Sequence, residues 1–152
     1  MRKNILALSS GGGHWIELLR LSPAFENSNV IYATVDNSYQ DSLADKQYAG
    51  FYCFSDVTRW NKIKWVVTGL QILMILIKTR PDVVISTGAL PGYMALRLGK
   101  LFKVKTIWVD SIANAHELSA SGRHVARYAD LYLTQWEHLA TSNGPFFKGA
   151  VL

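Results

Sequence analysis

Apolar residues along this chain fall into short continuous runs, separated by longer segments of mixed polarity. Short apolar runs bounded by turn-forming residues are typical of buried parallel strands. They predict strands at 3–9, 30–34, 50–54, 83–87, 105–109 and 131–134. The segments between them predict helices at 14–21, 60–79, 93–102 and 117–129, and a polar loop with a short helix at 36–47. Pro81 is expected to end the longest helix.

This alternation of strands and helices predicts an α/β fold, a Rossmann-like parallel sheet with helices on both faces. The length of 152 residues fits a single domain over 1–152. Ligands of such sheets bind at the carboxyl ends of the strands. Candidate functional residues are therefore expected in the segments that follow strands, at 10–14, 88–92 and 110–114.

Two of these segments are rich in glycine and lead into predicted helices. Their glycines are Gly11, Gly12, Gly13, Gly88 and Gly92. Glycines let an anion approach the backbone, and the start of a helix offers free N–H groups. The first loop is not a dinucleotide fingerprint, because Ile16 stands where the third glycine belongs, and no P-loop lysine follows. The two loops together favour a diphosphate, although tight turns that pack helix on strand would also explain them.

Two side chains in these segments have catalytic potential. His14 opens the first helix, where a neutral imidazole suits a base or a hydrogen-bond acceptor. Asp110 ends the fifth strand, where its carboxylate would meet the cleft. The alternatives are that His14 caps the helix or stacks beside Trp15, and that Asp110 caps the next turn through Ser111. No metal site is predicted, because the remaining histidines lack ligand spacing.

The charge distribution indicates possible partners of the chain, and the cysteine content indicates its compartment. The net charge is +5, and nine basic residues but a single acid lie between Val57 and Val109. This middle third suits phosphates on a lipid head group or a nucleic acid. The lone Cys53 fits a small core residue in a reducing cytosol. We expect no signal peptide, and the longest apolar stretch, at 13 residues, is too short for a transmembrane helix.

The helix within 58–82, TRWNKIKWVVTGLQILMILIKTRPD, is apolar on nearly all sides and basic at both ends. Aromatic and basic residues together suit the interface of an anionic membrane. The candidate membrane contacts are Arg59, Trp60, Lys62, Lys64 and Trp65. A helix fully buried in the fold is the alternative. Nucleic acid is not expected, because no binding motif is present.

Three segments carry a resemblance to a known family: SGGGH at 10–14, PDVVISTG at 81–88 and ADLYLTQW at 129–136. The chain resembles the acceptor-side, membrane-recruiting subunit of two-component GT-B glycosyltransferases. One group of this family is the bacterial capsular and exopolysaccharide glycosyltransferase subunit. The eukaryotic membrane subunit of the dolichol-linked N-acetylglucosaminyltransferase is similar. So is the N-terminal half of the peptidoglycan lipid-intermediate N-acetylglucosaminyltransferase.

The resemblance implies the N-terminal half of GT-B and an inverting, metal-independent transfer from a UDP-sugar to a lipid-diphosphate-linked sugar. The two glycine loops would bind the acceptor diphosphate. His14 would act as base or position the acceptor, and Asp110 stands where relatives commonly carry Glu. No cofactor is implied, since the UDP-sugar would be held mainly by a separate donor-binding partner.

The resemblance also implies where the chain works and what it touches. We expect a cytoplasmic protein, peripheral on the inner face of the cell membrane, attached through the helix at 59–80. The tail at 143–152 is expected to dock on the partner, because apolar residues at a terminus are costly to expose. Its apolar members are Phe146, Phe147, Val151 and Leu152. Packing of the tail on the chain's own sheet is the alternative.

Two other functions stay open at this point. The chain could be a non-catalytic adaptor that only recruits and activates the partner at the membrane. It could also be a free-standing nucleotide-binding oxidoreductase, against which Ile16 in the first loop argues.

Overall fold

The computed structural model describes residues 1–58 and 60–151. Within them, seven strands form one parallel sheet in the order β3-β2-β1-β4-β5-β6-β7. The strands are β1 Asn4–Leu8, β2 Asn29–Thr34, β3 Gly50–Cys53, β4 Val83–Ser86, β5 Lys105–Val109, β6 Leu131–Thr134 and β7 Phe146–Phe147. The chain runs outward from β1 to β3, crosses back to β4, and runs outward again. The order therefore reverses between β1 and β4, where ligands of such sheets bind.

Helices cover both faces of the sheet. They are α1 Gly13–Arg20, α2 Lys62–Thr79, α3 Ala89–Leu101 and α4 Ala120–Val125, with 3-10 turns at Ser22–Phe25, Asn37–Leu43 and Glu137–Leu139. The predicted Rossmann-like architecture is confirmed.

Successive side chains of the strands point to opposite faces of the sheet and lie in two hydrophobic cores. Leu6 and Leu8 of β1 face the core that contains α2, α3 and α4. Ile5 and Ala7 face the core that contains α1. All four are buried, because a central parallel strand has helices on both of its faces.

The helix bounds differ by more than one residue from the predicted ones in α2, α3 and α4. Helix α2 begins at Lys62, because the Asn61 side chain caps it by accepting from the Lys64 N–H at 3.0 Å. Helix α3 begins at Ala89 instead of 93, so 89–92 form its first turn and not a loop. Helix α4 spans only Ala120–Val125, not 117–129.

The tail adds a strand that was not predicted, because Phe146–Phe147 pair with the edge of the sheet, in keeping with the alternative that the tail packs on its own sheet. Phe146 pairs with Leu133 and Phe147 with Thr134 of β6.

Candidate acceptor site

The candidate site lies at the carboxyl ends of β1 and β4, the point at which the strand order reverses. His14 follows β1 at the start of α1, and Thr87 and Gly88 follow β4. The two glycine segments predicted from the sequence are therefore neighbours in the fold. Their proximity follows from the topology, because β1 and β4 are paired from Ile5↔Val83 to Leu8↔Ser86.

His14 joins the two segments through two hydrogen bonds. Its Nδ1 lies 3.2 Å from the carbonyl oxygen of Thr87, and the Thr87 hydroxyl donates to the His14 carbonyl at 2.6 Å. A carbonyl oxygen can only accept, so the neutral ring carries its proton on Nδ1. Nε2 is then left with a lone pair, which is the state a base needs. The residue is half-buried.

The first glycine loop is partly closed and partly open. The Tyr39 hydroxyl accepts from the Gly12 N–H at 2.8 Å, and a Cβ on Gly11 would come within 2.6 Å of the Tyr39 oxygen. Gly12 has φ 67, a left-handed conformation that favours glycine. Gly13 is exposed, and a Cβ there would meet no atom of the described residues within 4 Å. The open backbone of the loop is thus at Gly13, at the N-terminus of α1.

The second glycine segment is filled by the chain's own side chains. Gly88 has φ 147, and a Cβ there would lie 2.5 Å from the His14 ring. Gly92 is buried in the first turn of α3, where a Cβ would overlap the Ser86 hydroxyl and lie 3.1 Å from the Trp108 ring. The neighbouring Ala89 also has a positive φ, of 62, which is uncommon for a residue other than glycine.

Asp110 is buried and its carboxylate is fully engaged. Oδ1 accepts from the Trp108 indole at 3.0 Å and from the Ser119 hydroxyl at 2.5 Å. Oδ2 accepts from the Ser119 N–H at 2.9 Å. Ser119 in turn caps α4 by accepting from the Gly122 N–H at 2.8 Å. The carboxylate therefore holds the start of α4, through Ser119 and not through Ser111, and its catalytic role stays a prediction.

A tyrosine hydroxyl lies close to this carboxylate. Burial, and secondly the negative charge of Asp110, raise the pKa of Tyr132 well above its usual range. The Tyr132 hydroxyl has no hydrogen-bond partner among the described residues. It stays neutral and protonated at any physiological pH, so it adds no charge to the site.

Glu17 is a buried residue of the site that the sequence reasoning missed. It accepts from the Ser111 hydroxyl at 2.7 Å and from the Gln135 amide at 2.8 Å. It thereby ties α1 to the segments that follow β5 and β6. The signal available in the sequence was its position between Trp15 and Leu18, both on the buried face of α1.

The chain matches the family described as "Oligosaccharide biosynthesis protein Alg14 like" over residues 35–149. It belongs to this family. A UDP-N-acetylglucosamine transferase subunit alg14 of Schizosaccharomyces pombe is 40% identical over 172 residues, covering 92% of this chain and 79% of that protein. The human UDP-N-acetylglucosamine transferase subunit ALG14 is 28% identical over 167 residues, covering 90% and 76%.

Solved structures show that the same fold occurs in larger proteins. MurG from Acinetobacter baumannii matches with a TM-score of 0.77 at 11% identity, over 99% of this chain and 46% of that one. UDP-N-acetylglucosamine 2-epimerase from Rickettsia bellii matches with a TM-score of 0.73 at 14% identity, over 99% and 45%. The chain therefore spans less than half of either solved structure.

Helix α2 presents an apolar face to solvent in this Alg14-like fold. Its exposed apolar residues, together with Trp60 just before it, recur at helical spacing: Trp60, Ile63, Val66, Val67, Leu70, Met74 and Ile77. Trp60 is 89% exposed, whereas Trp65 is only 37% exposed, because its indole donates to the Thr58 carbonyl at 3.0 Å. Lys62 and Lys64 are exposed beside this face, and Arg59 lies outside the described residues.

The alternative of a fully buried α2 does not hold, since only Thr68, Ile72, Ile75 and Leu76 are buried. In the described part of the chain, no helix combines the length and apolar character needed to cross a membrane.

The tail lies against the edge of the sheet. Phe146 and Phe147 remain 37% and 36% exposed in β7, despite pairing with β6. The Val151 N–H donates to the Gln135 side chain at 2.9 Å, and Arg20 donates to the Val151 carbonyl at 3.3 Å. Leu152 lies outside the described residues. The tail thus packs in part on its own sheet while its two aromatic rings stay accessible to a partner.

Proposed function

We propose that this chain is the acceptor-binding subunit of a heteromeric inverting N-acetylglucosaminyltransferase. It binds a lipid-diphosphate-linked sugar, while a separate donor-binding subunit holds the UDP-sugar. Membership of the Alg14-like family and the printed names of the S. pombe and human relatives support the reaction class.

The observation that carries the proposal is the position of His14 between the two glycine segments. The open backbone at Gly13 and the N-terminus of α1 suit an anion on one side of the ring. On the other side the ring contacts Gly88 and Thr87. A diphosphate at Gly13 would bring the attached sugar close to the Nε2 lone pair.

The chemistry then needs one proton acceptor. Nε2 of His14 takes the proton of the acceptor hydroxyl as its oxygen attacks the anomeric carbon of the donor. The new glycosidic C–O bond forms as the bond from that carbon to the UDP oxygen breaks, so the anomeric configuration inverts. UDP leaves with the bonding electron pair. Asp110 acts as a positioning residue through Ser119 and α4.

A reconstituted complex tests this role of His14. The full chain and its donor-binding partner are assayed with UDP-N-acetylglucosamine and a lipid-diphosphate-linked sugar. His14→Ala is expected to lower kcat by roughly 100-fold or more, because general-base catalysis is lost. His138→Ala is the matched control, since His138 is an exposed histidine whose Nε2 lies 2.7 Å from the Ala115 carbonyl oxygen. Unchanged kcat in His14→Ala would favour the non-catalytic adaptor.

The apolar face of α2 supports attachment to an anionic membrane on its cytoplasmic side. Lys62 and Lys64 flank the face at the end where Trp60 is exposed, as expected for a helix lying at a lipid interface. The free thiol of Cys53 suits that reducing compartment.

Reversing the charge of lysines at two different places distinguishes attachment through α2 from a general attraction of the basic chain to an anionic membrane. Lys62→Glu with Lys64→Glu is expected to reduce flotation with anionic liposomes, with a smaller difference at high salt. The control is Lys3→Glu with Lys105→Glu, which makes the same charge change at the opposite, amino-terminal edge of the strands. Equal flotation of the two double variants would contradict the proposal.

The exposed rings of β7 support docking of the tail on the donor-binding partner. Phe147→Ser is expected to weaken co-purification of that partner. Phe102→Ser is the matched control, because Phe102 is also exposed but follows the far end of α3. An equally stable complex for both variants would show that the tail is not part of the interface.

A further inference from the structure

A cavity of about 520 Å³ opens between α2, α3 and α4 on one face of the sheet. Its walls come from Val57 and Trp65 near the start of α2, from Leu90 and Tyr93 on α3, and from Ala120 on α4. The volume lies in the range of small-molecule sites, and the walls are mainly apolar, as such sites are.

The cavity adjoins the second glycine segment, beside the His14 ring, on one side. Ala89 and Leu90, which line it, directly follow Gly88, and Gly88 contacts the His14 ring. On its other side it is lined by Trp65 of α2, which is 37% exposed and lies on the side of the helix that carries the buried Thr68 and Ile72. The apolar lining therefore runs from Trp65 on the inner side of α2 to Ala89 and Leu90, next to the glycine segment beside His14.

Cationic and polar groups stand at the α3 and α4 walls. Arg97 lies over the Tyr128 ring at 5.8 Å, and none of the ion pairs in the described part of the chain involves it. His124 uses Nδ1 toward the Ala120 carbonyl at 2.7 Å, which leaves Nε2 for another partner. A mainly apolar cavity with cations at its edge suits the apolar chain of an anionic amphiphile.

The walls are fixed by hydrogen bonds that do not involve a ligand. The Thr68 hydroxyl of α2 donates to the Ser55 carbonyl at 2.9 Å, and the Ser55 N–H donates to Gln71 at 2.7 Å. The indole of Trp65 is held by the Thr58 carbonyl. The segment that carries Val57 is thereby tied to α2, so the cavity is built by the fold.

We propose that this cavity holds the part of the isoprenoid chain nearest the diphosphate of the lipid-linked acceptor. The inference rests on the proposed function for the identity of the lipid. It adds a second recognition element to the acceptor site, distinct from the outer membrane contact on α2. A prenyl diphosphate should then bind more tightly than diphosphate alone, because chain and head group are held together.

Binding to the full chain tests the proposal without catalysis. The probes are farnesyl diphosphate and inorganic diphosphate, measured by calorimetry. Farnesyl diphosphate is expected to bind at least about ten-fold more tightly, as burial of apolar surface predicts. Ala120→Trp, which fills the cavity, is expected to remove that advantage and leave inorganic diphosphate binding unchanged. Ala126→Trp is the matched control on the same helix, since Ala126 is exposed at its end.

Ala120→Leu and Ala126→Leu repeat the comparison with a smaller side chain, and thermal melting checks that each variant folds. Equal binding of the two probes to the wild type would overturn the proposal. So would full farnesyl diphosphate binding by a folded Ala120→Trp variant.

The transfer assay separates this proposal from the proposed function. One possible outcome is that Ala120→Trp removes farnesyl diphosphate binding, but the complex transfers no sugar to a lipid-diphosphate acceptor. This outcome would contradict the proposed transferase function and support the proposed role of the cavity. Transfer without any preference for the prenyl group would contradict the cavity alone.

Discussion

The two glycine segments resemble each other in sequence but differ in what their glycines contact. In the first, Gly13 is exposed and has open space where a Cβ would be. In the second, Gly88 abuts the His14 ring and Gly92 abuts Ser86 and Trp108. The first segment therefore keeps backbone available to a ligand, whereas the second uses glycine to let its own side chains approach. A glycine after a strand can therefore either leave backbone open to a ligand or make room for a neighbouring side chain. Substitution by alanine distinguishes these two roles.

The largest effect on stability is expected at Gly92. Gly92→Ala would place a methyl group against the Ser86 hydroxyl and the buried Trp108 ring, and overpacking of this kind costs about 3 kcal/mol. The free energy of unfolding from urea titration measures it. Gly69→Ala is the control, because a Cβ at this glycine within α2 meets nothing within 4 Å and should stabilise by about 0.5 kcal/mol or more. Equal stability of the two variants would show that the second segment is not packed as described.

Gly88→Ala is expected to have the next largest effect. Alanine at this position would have an unfavourable φ of 147, and its methyl group would contact the His14 ring. We expect these two effects together to lower the free energy of unfolding by about 2 kcal/mol. The variant should also lose transferase activity, since the methyl group displaces the His14 ring. Wild-type kcat in this variant would mean that the ring position is not required.

Tyr39→Phe tests the closed part of the first loop. It removes the hydroxyl that accepts from the Gly12 N–H, and the loss of one such bond costs about 1 kcal/mol. Urea titration against Tyr48→Phe gives a matched comparison, because the Tyr48 hydroxyl accepts an exposed hydrogen bond from the Gln40 side chain at 3.0 Å. If both variants unfold alike, Tyr39 does not hold the loop.

The smallest effect on stability is expected at Gly13. A small effect there, beside the large one at Gly92, would show most clearly that the two glycine segments differ. Gly13→Ala should change the free energy of unfolding by less than about 0.5 kcal/mol, since nothing lies near the new methyl group. The acceptor KM should nevertheless rise, because the methyl group occupies the approach to the backbone. An unchanged KM would mean that the diphosphate does not use this loop.

The sheet could be predicted from the sequence because its signal is local. Each predicted strand is centred on a short apolar run. Strands β1 and β3 to β6 lie within the predicted ranges, and β2 begins one residue earlier, at Asn29. The alternation of strands with helices also predicted which segments meet, so that His14 and Gly88 could be assigned to one edge of the sheet.

The predicted start of α3, at residue 93, was wrong because the true start depends on contacts with residues distant in sequence. Pro91 and Gly92 resemble a loop, yet Pro91 lies in the first turn, where its missing N–H costs nothing. Gly92 is explained only by Ser86 and Trp108 on neighbouring strands. The engagement of Asp110 with Ser119 is likewise a contact across nine residues that no spacing rule predicts.

Glu17 has a consequence for how the tail and the acceptor site respond to one another. Gln135 holds the Glu17 carboxylate with its amide nitrogen and the Val151 N–H with its amide oxygen. Glu17 stands one helical turn from His14. A partner that binds the tail would thus change the support beneath α1, and free-energy linkage requires any effect on a ligand at its N-terminus to be mutual. The affinity of the chain for the partner is therefore expected to change when a ligand binds beside His14, and the affinity for that ligand to change by the same factor when the partner binds.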